Sequence, residues 1–125
     1  MTLHTRMALC GAFLALAACA TGSAFSVHRL LSERQAHQAT RVSVVGVLGL
    51  RHGLVNLFSR NGRECIGLLT HVEDRDSYAA LNGQMVSVSG TLEAEGCGRD
   101  GICDEHLCGP AILRDVTVSR GSRLG

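Results

Sequence analysis

The stretch RVSVVGVLGLRHGLVNLFSRNGRECIGLLT, residues 41–70, carries the pattern that decides the fold. Apolar, often β-branched residues alternate with polar or small ones, which is the period of a strand with one buried face. Three segments show this period: 41–50, 53–59 and 64–70. Asn61-Gly62 lies between the last two, and this pair favours a hairpin because both positions tolerate positive φ. The stretch therefore predicts three consecutive strands, with a bulge or strong bend in the first at Gly46 and Gly49.

The remaining chain adds one helix and two strands. Residues 73–83, EDRDSYAALNG, begin with acidic residues and end in Asn-Gly, which is typical of a short helix. QMVSVSGTLEA, residues 84–94, and AILRDVTVS, residues 111–119, alternate as two further strands. The predicted order is strand, strand, strand, helix, strand, strand.

This order resembles the OB-fold, a five-stranded Greek-key barrel whose single helix lies between the third and fourth strands. The phrase LNGQMVSVSGTL, residues 81–92, is similar to the fourth-strand region of small bacterial OB domains, and the arrangement is similar to the stress-induced envelope proteins of that type. The resemblance implies a mainly β, OB-fold-like barrel over residues 41–120. It implies no site residues, and an unclosed β-sandwich is the alternative.

The N-terminus has the pattern of an export signal. Arg6 precedes an apolar stretch, residues 7–18, that is too short to span a bilayer as a helix. The quartet Leu-Ala-Ala-Cys at residues 16–19 resembles the lipobox of bacterial lipoproteins. That resemblance implies cleavage before Cys19 and attachment of acyl chains such as palmitate to it. An ordinary secretory signal, with Cys19 incidental, is the alternative.

Acylation would place the protein at a membrane of the bacterial envelope. Two or three acyl chains hold a protein there effectively permanently. Ala20 follows the cysteine where an Asp would imply inner-membrane retention, so we expect the outer membrane, with the domain in the periplasm. The predicted parts of the chain are a signal peptide, 1–18; a lipidated, partly helical tether, 19–40; the barrel, 41–120; and a tail, 121–125.

Four cysteines remain in the predicted domain: Cys65, Cys97, Cys103 and Cys108. An even number in an exported chain predicts two disulfides, with three possible pairings. We favour Cys65 with Cys108 and Cys97 with Cys103. The alternative is a zinc site that adds His106, but the spacing lacks the paired C-x2-C of zinc knuckles, so we predict no metal and no cofactor.

A candidate binding edge is formed by two predicted turns. Arg51 and His52 lie in the turn between the first two strands, and Arg60 and Arg63 flank the Asn-Gly turn. His52 and Arg51 could contact an anionic ligand, and a solvated turn is the alternative. The predicted partners are the membrane, through the anchor, and an envelope protein or a small periplasmic ligand.

Composition argues against two other classes. The sequence has no lysine, and loss of Arg6 with the leader leaves as many Arg as Asp plus Glu, so the mature chain is neutral. With Phe58 alone on the second and third strands, we predict no nucleic acid binding. His71 and Glu73 could be an acid/base pair but have no nucleophile with them, so we predict no enzyme. The prediction is a non-enzymatic binding module; the alternative is a structural envelope-stress protein without a discrete ligand.

Overall fold

The computed structural model describes residues 24–96 and 108–120. Strands dominate these two ranges, and the helices are short. In chain order the elements are β1 (Phe25–Ser26), α1 (Val27–Ser32), a 3-10 helix (Arg34–His37), β2 (Arg41–Arg51), β3 (Leu54–Phe58), β4 (Cys65–Leu68), a second 3-10 helix (Val72–Asp74), α2 (Arg75–Ala79), β5 (Met85–Glu93) and β6 (Ile112–Arg120).

Strands β2 to β6 close into a ring. Strand β2 pairs antiparallel with β3 through its C-terminal half and with β5 through its N-terminal half, and Val47 has a partner in both. Strands β3 and β4 pair antiparallel, β4 and β6 parallel, and β5 and β6 antiparallel. This is a mainly β, OB-fold-like barrel with α2 between its third and fourth strands, so the predicted fold class is confirmed.

The barrel interior is filled by every second residue of the strands, as the alternating pattern predicts. The buried side chains are aliphatic and belong to all five strands of the ring. They are Val42, Val44, Leu48, Val55, Leu57, Ile66, Leu68, Val86, Val88, Leu92 and Leu113.

The segment before β2 belongs to the barrel, which differs from the tether predicted for residues 19–40. Strand β1 pairs parallel with β2, and the Ser26 hydroxyl caps α1 by accepting a hydrogen bond from the Arg29 amide at 3.1 Å. One face of α1 enters the core, where Val27 is 1% and Leu30 0% exposed. The sequence predicted partial helicity here but not the packing, because two buried positions in so short a helix give too little periodicity to indicate a core-facing side.

The two hairpin turns differ from each other and, in part, from the prediction. The β2–β3 turn takes positive φ at both His52 and Gly53. In the β3–β4 turn only Gly62 does so, with its amide bonded to the Ser59 carbonyl at 2.9 Å. The Asn-Gly pair therefore marks the predicted hairpin, although Asn61 does not adopt the predicted backbone.

Glycines in β2 make room for neighbouring residues and cause no bulge. The register of β2 is unbroken toward both partners, so the bulge expected at Gly46 and Gly49 is absent, whereas the alternative of a strong bend is compatible with this register. A Cβ on Gly46 would lie 2.7 Å from the Phe58 carbonyl oxygen, and one on Gly49 2.6 Å from the Phe58 ring. The irregularity lies in β5, where the register with β6 shifts between Ser89 and Thr91. No helix within 24–96 or 108–120 is long and apolar enough to cross a membrane.

Candidate functional site

The predicted binding edge is divided between two ends of the barrel. Arg51 ends β2 and His52 lies in the β2–β3 turn, whereas Arg60 and Arg63 lie in the β3–β4 turn. Strand β3, residues 54–58, separates the two turns by about 16 Å at the usual rise of a strand. The structure therefore places the Arg51–His52 turn and the Arg60–Arg63 turn at opposite ends of β3.

Arg51 instead belongs to a small surface site on the outer side of β2 and β3. Its guanidinium carbon lies 5.8 Å from the centroid of the Phe58 ring, within range of a cation–π contact. The ring lies diagonally across Gly49, where a Cβ would collide with it. Phe58 is half-buried, so the ring and the guanidinium together present a partly exposed planar surface, the Arg51–Phe58 surface.

The neighbouring part of β3 is covered by the segment that enters β6. Asn56 faces outward between Leu54 and Phe58, yet it is fully buried, and its Oδ1 accepts a hydrogen bond from the Cys108 amide at 2.8 Å. A disulfide joins Cys65 on β4 to Cys108, with Cα atoms 5.7 Å apart. The cross-link and the Asn56 hydrogen bond hold residue 108 over the sheet, so the outer face beside Phe58 is closed on that side.

This disulfide also bears on the zinc alternative. Cys108 would be one of the ligands of the alternative zinc site, and its Sγ is bonded to Cys65 instead. Within 24–96 and 108–120 no three His, Cys, Asp or Glu residues are grouped to hold a metal ion. Cys97, Cys103 and His106 lie outside the described residues, as does Cys19, so the second pairing and the acylation site stay predictions.

Two grooves flank the point where the described chain begins. The first, of about 690 Å³, lies between β1 and the β3–β4 turn and includes Arg60. A hydrogen bond lies at its wall, with His28 Nδ1 at 2.9 Å from Glu64 Oε1. The turn is held by the Asn61 Oδ1, which accepts hydrogen bonds from the Arg63 amide and the Ser59 hydroxyl.

The second groove, of about 670 Å³, lies on the outer face of β2 and β5, beside α1. Sequence reasoning named none of its side chains as candidates, because the residues come from three segments that only the β1–α1 packing brings together. Its polar residues are basic or carry hydroxyl groups, and Ala24, Phe25 and Val42 complete the lining. The polar residues are Arg29, His37, Thr40, Arg41, Ser43, Ser87 and Ser89. We call this the basic groove.

One titratable group in α2 has a perturbed pKa. Burial raises the pKa of the Tyr78 phenol above its ordinary value of 10.0, and the negative charge of Asp74 raises it further. Both effects disfavour the phenolate. Tyr78 packs against the core through its ring, so this is a feature of stability rather than of a site.

Comparison with known proteins shows similarity in fold alone. No protein-family model matches the chain, and no curated protein matches it. A crystal structure from Klebsiella pneumoniae superposes with a TM-score of 0.55 at 15% sequence identity, covering 82% of this chain and 96% of that one. That protein is described as a "putative nucleic acid-binding lipoprotein".

This similarity corrects the prediction that excluded nucleic acid as a partner. The shared fold occurs in a protein described as binding nucleic acid. A neutral net charge and few aromatic residues therefore do not exclude that class of partner. Binding to single strands requires a local stacking surface with a nearby cation, which the average composition of a chain does not report.

Proposed function

We propose that this protein is a lipid-anchored, non-enzymatic binding module of the bacterial envelope, held at the outer membrane through Cys19 and facing the periplasm. The observation that carries the proposal is the Leu-Ala-Ala-Cys quartet at residues 16–19 after an apolar stretch. Two findings support it: a protein of the same fold is described as a lipoprotein, and the Cys65–Cys108 disulfide suits an oxidising compartment.

The packing of β1 makes the proposed anchor a short one. Only four residues separate Cys19 from Ala24, which precedes β1 directly. The five Cα–Cα steps from residue 19 to residue 24 span at most about 18 Å when fully extended. An acylated Cys19 would therefore keep the β1 end of the barrel close to the bilayer surface.

A non-enzymatic role agrees with the polar groups on the surface. His71 and Glu73, the acid/base pair suggested by their types, are both exposed beside the second 3-10 helix. General acid–base catalysis needs a group held within hydrogen-bond reach of its substrate, usually in a cleft that tunes its pKa. We propose that these two side chains only solvate the surface.

Export and acylation are tested by replacing the two cysteines of the N-terminal region separately. We expect Cys19→Ser to abolish incorporation of labelled palmitate and to move the protein out of the membrane fraction. Cys10→Ser is the matched control, because that thiol lies within the predicted leader and should leave both results unchanged. Membrane retention and labelling of the Cys19→Ser variant would refute the anchor.

Single-stranded nucleic acid is a second candidate as ligand, favoured by the Arg51–Phe58 surface. A half-buried aromatic ring and a guanidinium 5.8 Å from its centroid are the kinds of group on which bases stack. The Klebsiella pneumoniae protein of the same fold is described as nucleic acid-binding. A small site with one arginine implies weak binding that depends on few phosphate contacts.

The test is fluorescence anisotropy of a labelled oligothymidylate with Arg51→Gln and Arg41→Gln. These arginines are the first and last residues of β2, so both variants lose the same charge from opposite ends of one strand. We expect Arg51→Gln alone to weaken binding and to lower the slope of log K against log salt by about 0.7, the value for one phosphate contact. Equal affinities for both variants would refute this site.

A further inference from the structure

The basic groove has a lining suited to an anion. Two guanidinium groups, Arg29 and Arg41, stand beside the hydroxyls of Ser43 and Ser89, which lie opposite each other in the β2–β5 register with their oxygens 3.1 Å apart. Among the described residues that line the groove, none is Asp or Glu. Guanidinium and hydroxyl groups are the donors that bind phosphate oxygens in proteins.

The two arginines differ in how far their charge is already compensated. Arg29 Nε lies 3.3 Å from Glu33 Oε2, and the guanidinium covers the Phe25 ring. Arg41 donates to the carbonyl oxygen of Asp115 at 3.1 Å, and no carboxylate in the described ranges pairs with it. Arg41 is therefore held in place by a neutral partner and keeps its charge for a ligand.

The position of the groove indicates the source of the anion. Ala24 and Phe25 line it, so it opens where the chain arrives from Cys19. With at most about 18 Å of extended chain between Cys19 and Ala24, an acylated protein would carry the groove to the level of the lipid headgroups. Phe25 is buried beneath Arg29 and against His37, so the groove offers no open aromatic face for a nucleic acid base.

We propose that the basic groove binds the phosphate of an anionic phospholipid headgroup in the membrane that holds the anchor. This inference rests on the proposed lipid anchor. The headgroup contact fixes how the barrel is oriented on the bilayer: the β1 end lies against the surface, and the Arg51 end of β2 points away. The neutral net charge of the mature chain is no obstacle, because the contact is local and the anchor supplies the attachment.

The experiment measures vesicle binding by a chain that carries no lipid. Residues 20–125 retain the whole described barrel, and their sedimentation is compared between phosphatidylcholine vesicles and vesicles that also contain phosphatidylglycerol. We expect binding only with phosphatidylglycerol, and a loss of about fivefold for Arg41→Gln, the effect of about 1 kcal/mol for one arginine at an anionic surface. Arg51→Gln is the control and should bind as the unmodified chain does.

Three results would overturn the proposal. Equal losses for the two variants would show diffuse charge attraction without a groove. Binding of inorganic phosphate that is lost in Arg41→Gln, without any preference for phosphatidylglycerol, would assign the groove to a free anion. Loss of oligothymidylate binding in Arg41→Gln with unchanged vesicle binding would assign it to nucleic acid. Melting temperatures equal to that of the unmodified chain establish that both variants are folded.

The outcome is separable from the test of the anchor. Vesicle binding by residues 20–125 does not involve Cys19, so absence of palmitate labelling would refute the lipid anchor without changing the vesicle result. Conversely, an acylated protein whose barrel ignores phosphatidylglycerol would refute the headgroup site alone.

Discussion

Replacement of Leu30 by alanine should strongly destabilise the barrel. Leu30 is fully buried in α1, against the core that β2 and β4 provide. A Leu→Ala change at such a site costs about 2–5 kcal/mol, from lost transfer energy and the cavity left behind. Total stabilities of small domains are about 5–15 kcal/mol. A loss of about 3 kcal/mol would lower the Tm of a domain of this size by about 12–24 °C.

The assay is urea unfolding, read from far-UV circular dichroism, of residues 20–125. Leu69→Ala is the matched control, because it removes the same atoms from a side chain that is 42% exposed. We expect the control to lose about 0.5 kcal/mol. Equal unfolding midpoints for Leu30→Ala and Leu69→Ala would show that residues 25–32 are a tether after all, and would remove the short-anchor geometry.

Three further predictions concern the cross-link, the Arg51–Phe58 surface and the tyrosine. Reduction of the Cys65–Cys108 disulfide should lower the free energy of unfolding by about 4 kcal/mol, which is the entropy of closing a loop across a separation of 43 residues. Urea unfolding with and without dithiothreitol measures the loss, and an unchanged midpoint would contradict the prediction. Gly49→Ala should displace the Phe58 ring and lower the free energy of unfolding by about 1–3 kcal/mol, because the new Cβ would lie 2.6 Å from the ring. Unshifted Phe58 ring resonances in NMR spectra would contradict this prediction. Because the folded state raises the pKa of Tyr78, the contribution of this group to the free energy of unfolding is fully present below pH 10.0 and is lost as the pH rises through the raised pKa. Tyr78→Phe should remove this loss. Absorbance at the phenolate band follows the titration of this single tyrosine, and a pKa at or below the ordinary value would contradict the account.

The strands of the ring could be predicted because each buries one face. Residues 41–50 and 84–94 follow a period of two in most positions, and the structure places β2 and β5 at Arg41–Arg51 and Met85–Glu93. The helix predicted over 73–83 is present as a 3-10 helix followed by α2. Local pattern was sufficient there because the residues that determine each element lie within it.

The N-terminal elements could not be predicted in the same way. Val27 and Leu30 are buried only because the edge of β2 is free where β3 has ended, and this gap exists only in the closed barrel. The pattern over residues 25–32 is compatible either with a tether or with a segment that packs into the barrel core. Tertiary packing decided between the two, since short helices gain most of their stability from the surface they cover.

For the candidate site, too, some residues could be predicted from the sequence and others only from the fold. Arg51 could be named from the sequence because it is a turn residue, whereas the cysteine count left three pairings open and the fold brings Cys65 to Cys108. The distance between the Arg60–Arg63 turn and Arg51 is set by the length of β3, so it becomes evident only once that strand is known. The basic groove depends on α1 lying beside β2 and β5, so Arg29 and Arg41 could not be connected without the fold.

The intact mass of the protein extracted from envelope membranes tests the lipid anchor most directly. The account predicts a chain that starts at Cys19 and carries the mass of a diacylglyceryl group, with further acylation of the new amino group. A chain that retains residues 1–18, or one that starts after Cys19 without lipid, would contradict the anchor and with it the proposed orientation of the barrel on the membrane.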